Sequence, residues 1–206
     1  MSLKQRCRRL SLGYAIPLLV MWVIMPLLFI KLKSTVEESR KMAVSFVQLF
    51  LPTCSLLWPI FFSAEMMASP GNELLYIKQK MKVHYYILSW IVYMICAIPV
   101  FVVAKNKCYL DNYKWEFLRI TICTFFLIAA YYMLNFVTGN YLAANVIALA
   151  YIVFGTFTEK SGSILSLYDN HMADAGLIRD HYLLFAVAGV IALVAGVKYN
   201  REYEKY

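Results

Sequence analysis

The residues able to do chemistry in this chain are few and scattered. The three histidines, His84, His171 and His181, stand far apart, and no His-Glu-x-x-His occurs. The five cysteines, Cys7, Cys54, Cys96, Cys108 and Cys123, form no Cys-x-x-Cys, so neither a dithiol redox centre nor a zinc knuckle is encoded. Cys54, Cys96 and Cys123 fall in apolar runs, where a thiol serves as a small hydrophobe. Ser161-Gly162-Ser163 lacks the surroundings of a nucleophile elbow, and no Gly-rich Lys-Ser/Thr phosphate loop is present. The remaining ionisable pair is Glu116 and Arg119. Their i, i+3 spacing near the start of an apolar run suits a local ion pair. Apart from these two, the apolar runs hold no acid that could relay protons. Their other polar residues, Gln48, Asn135 and Asn145, have the chemistry of interhelical hydrogen bonds.

The elements that must carry these residues follow from composition. The chain has 206 residues, of which 62% are hydrophobic and 16% charged, with a mean hydropathy of +0.62. A soluble domain usually carries ~25% charged residues; this much apolar side chain calls for a bilayer as solvent. Charges separate uncharged runs at Leu10–Ile30, Met42–Ala64, Val83–Ala104, Ile120–Thr158 and His181–Val197. Ile120–Thr158 is too long for one span of ~20 residues, and the turn signal Thr138-Gly139-Asn140 divides it. The runs are continuous and lack period-two alternation, which argues against a β-barrel. The expectation is an all-α polytopic membrane protein, a single transmembrane domain over 1–206. Its six spans are expected near 12–31, 43–64, 84–104, 118–137, 141–158 and 181–198. The first run is long for a signal peptide and is expected to stay as a span. Six spans leave no room for an ATPase or kinase, so energy must come from a gradient or a partner.

The formal net charge is +8. In a soluble chain that would point to nucleic acid; here it reads as Lys and Arg meeting lipid headgroups. The twenty Lys and Arg divide evenly between the two sides, so the positive-inside rule alone does not orient the chain. Lys4, Arg6, Arg8 and Arg9, with no acid beside them, favour a cytoplasmic N-terminus and, with six spans, a cytoplasmic C-terminus. Leu3, Cys7 and Leu10 give residues 1–12 an apolar stripe. Two readings fit this stretch: an amphipathic helix in the headgroup plane, or a plain basic stop before the first span. In the last run, Ala188, Gly189, Ala192, Ala195 and Gly196 form a small-residue face suited to close packing on a neighbouring helix.

Two connections are long. In Glu65–Lys82, Ser69 can cap a helix and Pro70 suits its first turn. Leu74, Leu75, Ile77 and Met81 then form a stripe, with Glu73 early and Lys78, Lys80 and Lys82 late. This short amphipathic helix could lie on the membrane surface or dock in a groove on a soluble partner. In Glu159–Asp180, Ile164, Leu165 and Leu167 precede the polar break Asp169-Asn170-His171, and Ala175, Leu177 and Ile178 follow. Paired short helices and an ordinary loop both fit.

Glu65, then Pro70-Gly71, then Glu73-Leu74-Leu75 resembles the first cytoplasmic loop in permeases of type-2 ATP-binding cassette exporters. Those permeases have a Glu near the end of the second helix, followed by a Gly and a Glu-Leu-Leu-like stretch that forms the coupling helix. Six helices, a basic N-terminal helix, a short fourth connection and short outer helices before the sixth span are similar too. The sequence departs from the pattern in two places. Gly71 and Glu73 stand one residue closer together, and Tyr76-Ile77-Lys78 replaces the usual polar ending.

The resemblance implies a subunit of a bacterial plasma-membrane exporter that works as a dimer, with an identical or homologous second permease subunit. It implies that Glu65, Ser69, Pro70, Gly71, Glu73, Leu74 and Leu75 couple to separate ATPase subunits. Those subunits would hold ATP and Mg, and this chain would hold no cofactor and no metal. Helices two and five line the path in that family. Phe46, Leu49, Phe50 and Thr53 on one, and Asn145, Leu149 and Ile152 on the other, are then the candidates. Their character suits an amphipathic peptide or lipid-like cargo, as in peptide-antibiotic export or immunity. Two other readings use the same composition: a vitamin-binding membrane subunit of an importer, with an outer-facing pocket, and an accessory membrane scaffold.

Overall fold

A computed structural model describes residues 13–32, 35–68, 82–158, 166–169 and 171–203. Helix α1 is Gly13–Lys31. It contains a π-helical turn at Val20–Ile24, closed by the Met25 N–H on the Val20 carbonyl. The cause is Pro26, which has no N–H for the Trp22 carbonyl and whose ring would collide with it; a widened turn relieves both.

Thr35 starts α2 (Val36–Ser55) with a reciprocal capping box to Glu38, and Glu37 and Glu38 face the helix N-terminus. Pro52 lies inside α2 and Pro59 just inside α3 (Leu57–Ala68), and the rod breaks between them at Leu56. Around this break the Tyr93 hydroxyl donates to the Leu51 carbonyl at 2.7 Å. The Ser55 hydroxyl donates to the Pro52 carbonyl at 2.7 Å.

Helix α4 is Val83–Cys108 and α5 is Tyr113–Thr138. Gly139, at φ 61°, ends α5 in the left-handed conformation that glycine adopts without a Cβ penalty. Helix α6 (Tyr141–Thr158) follows at once, so the Thr138-Gly139-Asn140 turn lies where the sequence puts it. Asp174 caps a single turn, Ala175–Leu177, through the Leu177 N–H at 2.7 Å. A π-helical turn, Ile178–Tyr182, leads into α7, Leu183–Tyr203.

Among the described residues, five helices are long and apolar enough to cross a membrane: Gly13–Lys31, Val36–Glu65, Val83–Cys108, Tyr113–Thr138 and Ala175–Asn200. Tyr141–Gly155 is a shorter apolar helix. The described chain is helical, and the length and composition of these helices make it a multi-pass membrane protein. Two helices begin well before the expected span limits of 43 and 118. Charged residues stand inside them, because a capping box extends α2 and because Glu116 and Arg119 neutralise each other in α5. The expected basic helix at 1–12 and coupling helix at Ser69–Lys82 fall on residues that, apart from Lys82, lie outside the described ones.

Helix α5 sits between two buried clusters. Its Ile120 belongs to one cluster with Met21, Met25, Val47, Leu51, Tyr93, Ala97 and Phe101. Leu127, Tyr131 and Tyr132 pack with Ala148, Ile152, Tyr182 and Phe185 on the other side. Helix α7 approaches α5 closely through glycine. A Cβ on Gly189 would fall 2.9 Å from the Phe125 ring, and one on Gly196 would fall 2.5 Å from the Tyr132 ring. Both contacts advance together along the two helices, so α5 and α7 run parallel. The small-residue face of α7 thus packs inward, whereas Leu184, Val187, Ile191 and Val194 on its other face are exposed. The helix meets neighbours on one side and lipid on the other.

Because the Met133 backbone also lies 3.1 Å from the position of a Gly196 Cβ, the site cannot relax by moving one side chain. Gly196→Val is expected to cost about 1–3 kcal/mol as overpacking. Gly176→Ala, whose Cβ would meet nothing closer than Asp174 Oδ1 at 3.5 Å, is expected to change little. Thermal unfolding in detergent compares the two.

Candidate functional site

Between α6 and the last span, residues 166–169 and 171–174 are not helical, yet Ser166, Leu167, Tyr168 and Ala173 are buried. Leu167 meets Cys123, about ten residues into α5 and so roughly 15 Å along it at ~1.5 Å per residue. Irregular backbone at that depth survives only where protein satisfies its polar groups. The satisfying groups come from α2, α5 and the turn before α7.

Gln48 of α2 pairs with Asp169 as a neighbouring strand would. Its Nε2 donates to the Asp169 carbonyl at 2.8 Å, and the Asp169 N–H donates to its Oε1 at 2.9 Å. Arg119 Nη1 donates to the carbonyls of His171, at 3.0 Å, and Asp169, at 3.4 Å. Arg119 Nη2 is paired with Glu116. Glu116 Oε1 in turn accepts the Ala173 N–H at 2.8 Å. Tyr182 donates its hydroxyl to the Leu167 carbonyl at 3.2 Å, and His181 Nε2 lies 3.0 Å from the Ser166 carbonyl. The Ser166 hydroxyl closes a small turn on Tyr168.

Both members of the Glu116–Arg119 pair are fully buried. Their spacing in the sequence predicts the local ion pair; it does not announce the second partner of each residue, which is loop backbone. Arg119 also lies over the Tyr182 ring at 5.7 Å. Its Nε has no hydrogen-bond partner among the described residues. The pair neutralises itself in place, so it fastens the loop and offers no free acid. Gln48 is expected to bond between helices; it bonds to the loop instead.

The opposite end holds a second polar group. The Ser63 and Tyr86 hydroxyls lie 2.6 Å apart, and Asn135 Nδ2 donates to them at 3.2 and 3.4 Å. These link α3, α4 and α5, as interhelical hydrogen bonds at Asn135 require. Lys82 Nζ, also buried, reaches Asn200 Oδ1 at 3.4 Å and lies 5.5 Å over the Phe136 ring.

The path candidates occupy varied surroundings. Phe46 and Phe50 are half-buried with their rings 6.2 Å apart. Leu49 and Leu149 are exposed, while Ile152 is in the core. Half-buried Thr53 donates back to the Leu49 carbonyl at 2.6 Å. Asn145 is half-buried, and its buried Oδ1 has no partner among the described residues. Helices α2 and α6 do touch, but Ile152 and Leu149 point to different environments. Of the coupling candidates, Glu65 is exposed on the last turns of α3. Ser69, Pro70, Gly71, Glu73, Leu74 and Leu75 lie outside the described residues. Among the described residues no group of three His, Cys, Asp or Glu side chains is placed to hold a metal ion. Comparison with known protein families, with curated proteins and with solved structures gives no match.

Removing one partner of a buried ion pair strands the other charge, at a cost of about 3–5 kcal/mol. Arg119→Met is therefore expected to lower stability by that amount. Arg40→Met breaks the solvent-facing pair with Asp111, 77% exposed, and is expected to cost ~0–1 kcal/mol. Gln48→Leu leaves the Asp169 N–H unsatisfied, at ~1–3 kcal/mol, while the Asp169 carbonyl keeps its bond from Arg119. Denaturant unfolding in detergent ranks the three, and equal costs for Arg119→Met and Arg40→Met would refute the fastening role.

Proposed function

We propose that this chain is the membrane-spanning subunit of a type-2 ATP-binding cassette exporter, with six spans in a bacterial plasma membrane. The observation that carries the reading is the burial of non-helical backbone at residues 166–169 and 171–174 against the bundle ahead of the last span. The resemblance drawn from Glu65, Pro70-Gly71 and Glu73-Leu74-Leu75 implies short outer helices at this place; the described backbone shares the place but is irregular, with a single helical turn at Ala175–Leu177. A second feature agrees with it. Helices α3 and α4 bring Glu65 and Lys82 to one end of the bundle, and the expected coupling segment connects them there. The loop lies at the other end.

In this account the chain works as a dimer. Separate ATPase subunits carry ATP and Mg and dock at Ser69–Lys82. Their closure moves the coupling segments, and the helices re-pack to open a path outward for an amphipathic peptide or lipid-like cargo. The Arg119–Glu116–Gln48 fastening makes the outer loop move with α2 and α5 as one piece. A rigid outer gate needs that property. The vitamin-binding reading calls instead for tight binding of a vitamin by the isolated chain.

The expected result is that the protein, extracted in mild detergent, retains an ATPase subunit whose sequence carries a phosphate loop. Deleting Pro70–Leu75 should abolish that retention while thermal unfolding stays unchanged. If no such ATPase is retained and the deletion changes nothing, the exporter reading fails.

A further inference from the structure

The rod formed by α2 and α3 is weakly joined at Leu56. Pro59 has no N–H to give the Ser55 carbonyl, so one backbone bond across the joint is missing. The Pro52 carbonyl, which would take the Leu56 N–H in an unbroken helix, accepts the Ser55 hydroxyl at 2.7 Å. The Leu56 N–H turns to the Thr53 carbonyl instead, at 3.4 Å. Pro52 likewise offers nothing to the Gln48 carbonyl. A joint with so few bonds across it bends at lower cost than a continuous helix. The two pieces are also fastened differently. Helix α2 is tied by Gln48 to Asp169 and, through the Leu51 carbonyl, to the Tyr93 hydroxyl.

Helix α3 is held by one oxygen. The Ser63 hydroxyl donates to the Pro59 carbonyl at 2.7 Å, inside α3 itself. Its proton is spent there, so the 2.6 Å contact with the Tyr86 hydroxyl runs from Tyr86 to Ser63. Asn135 Nδ2 donates to the same oxygen at 3.2 Å. Tyr86 and Asn135 also meet each other at 3.4 Å, so α4 and α5 keep a bond of their own without Ser63. Trp58 Nε1 donates to the Tyr14 carbonyl at 2.9 Å, but two residues from Leu56 it lies too near the joint to restrain the far end. Further along, Phe61 and Phe62 make ring contacts with Tyr14 and Tyr85, at 6.0 and 5.0 Å, which are not directional in the way a hydrogen bond is. Another flank of α3 is open. Trp58, Pro59 and Phe62 border an apolar cleft of about 350 Å³ that reaches Leu18 of α1 and Val92 of α4. Leu88 and Val92 on its rim are 57% and 40% exposed, so the cleft opens to the side.

We infer that α3 is a lever: it pivots at Leu56 against a fixed α2, the Ser63 oxygen latches it to Tyr86 and Asn135, and the cleft is the room into which it tilts when the latch opens. Its tip carries Glu65, exposed on the last turns. The device is independent of the exporter reading, since the joint, the latch and the cleft involve neither an ATPase nor a cargo.

Distances between paired spin labels test it, on the full chain in nanodiscs with its five cysteines replaced by alanine. One pair, at Glu65→Cys and Tyr199→Cys, reads the tip of α3 against the end of α7. The other, at Met42→Cys and Leu184→Cys, reads α2 against the start of α7. All four positions are exposed. Each pair is expected to give one narrow distance population in the latched protein. Ser63→Ala should add a second population at the first pair, displaced by at least ~5 Å, and leave the second pair unchanged. Glu65 stands about nine residues past Leu56, roughly 14 Å at ~1.5 Å per residue, so a tilt of ~20° carries the tip that far. Tyr86→Phe removes the same hydrogen bond from the α4 side and should act alike; either variant suffices if it unfolds at the parent temperature. Movement of both pairs together would mean a rigid rod. A single unchanged population at the first pair would mean that Ser63 latches nothing. Each result overturns the proposal.

Discussion

A stretch of irregular backbone buried inside an apolar helix bundle sets the terms for this molecule. Bulk lipid satisfies no N–H and no carbonyl, and an unpaired buried group costs on the order of several kcal/mol. Residues 166–169 and 171–174 must therefore find partners on the helices around them. Gln48 supplies a donor and an acceptor at one point. Arg119 supplies donors to two carbonyls and Glu116 an acceptor to one N–H. Neither charge would be tolerable there alone. Paired with each other and bonded to the loop, they turn a desolvation cost into a fastening. The consequences reach the fold as well: α2, α5 and the turn before α7 are held at fixed relative positions by one short segment.

Much of the architecture was legible because it rests on local signals. Uncharged runs marked the apolar helices. The Thr138-Gly139-Asn140 turn split the longest run because glycine alone takes a left-handed cap freely. The small residues of the last run found their close partner in α5. What the runs missed has a physical reason too. Ending a helix at its first charge ignores charges that are capped, paired or carried above the membrane. Hence α2 begins at Val36 rather than 43, and α5 at Tyr113 rather than 118. The loop contacts were not legible at all, because Gln48 and Asp169 are far apart in the chain and backbone groups leave no trace in residue identity. The one clue was Glu116 and Arg119 themselves, charged residues at helical spacing against an apolar run. Their presence announced a buried polar demand nearby without saying whose it was.

The two ends of the bundle have different characters. The loop end is closed by directional hydrogen bonds between charged or amide side chains and backbone. The other end combines hydroxyl and amide contacts among Ser63, Tyr86 and Asn135 with an apolar cleft open to the side. The proposed exporter role needs one end that resists deformation and one that answers a partner, and this division of chemistry is compatible with it. It also separates the questions. The fastening concerns what holds the bundle together, whereas the proposed coupling segment concerns what would act on it.

The most direct measurement of the central claim is hydrogen–deuterium exchange of individual loop amides in a nanodisc. The account predicts that the N–H groups of Asp169 and Ala173 exchange as slowly as those inside α5, although they belong to no helix. It further predicts that Gln48→Leu releases Asp169 selectively. Exchange of both amides at the rate of the solvent-facing Asp111 turn would contradict it.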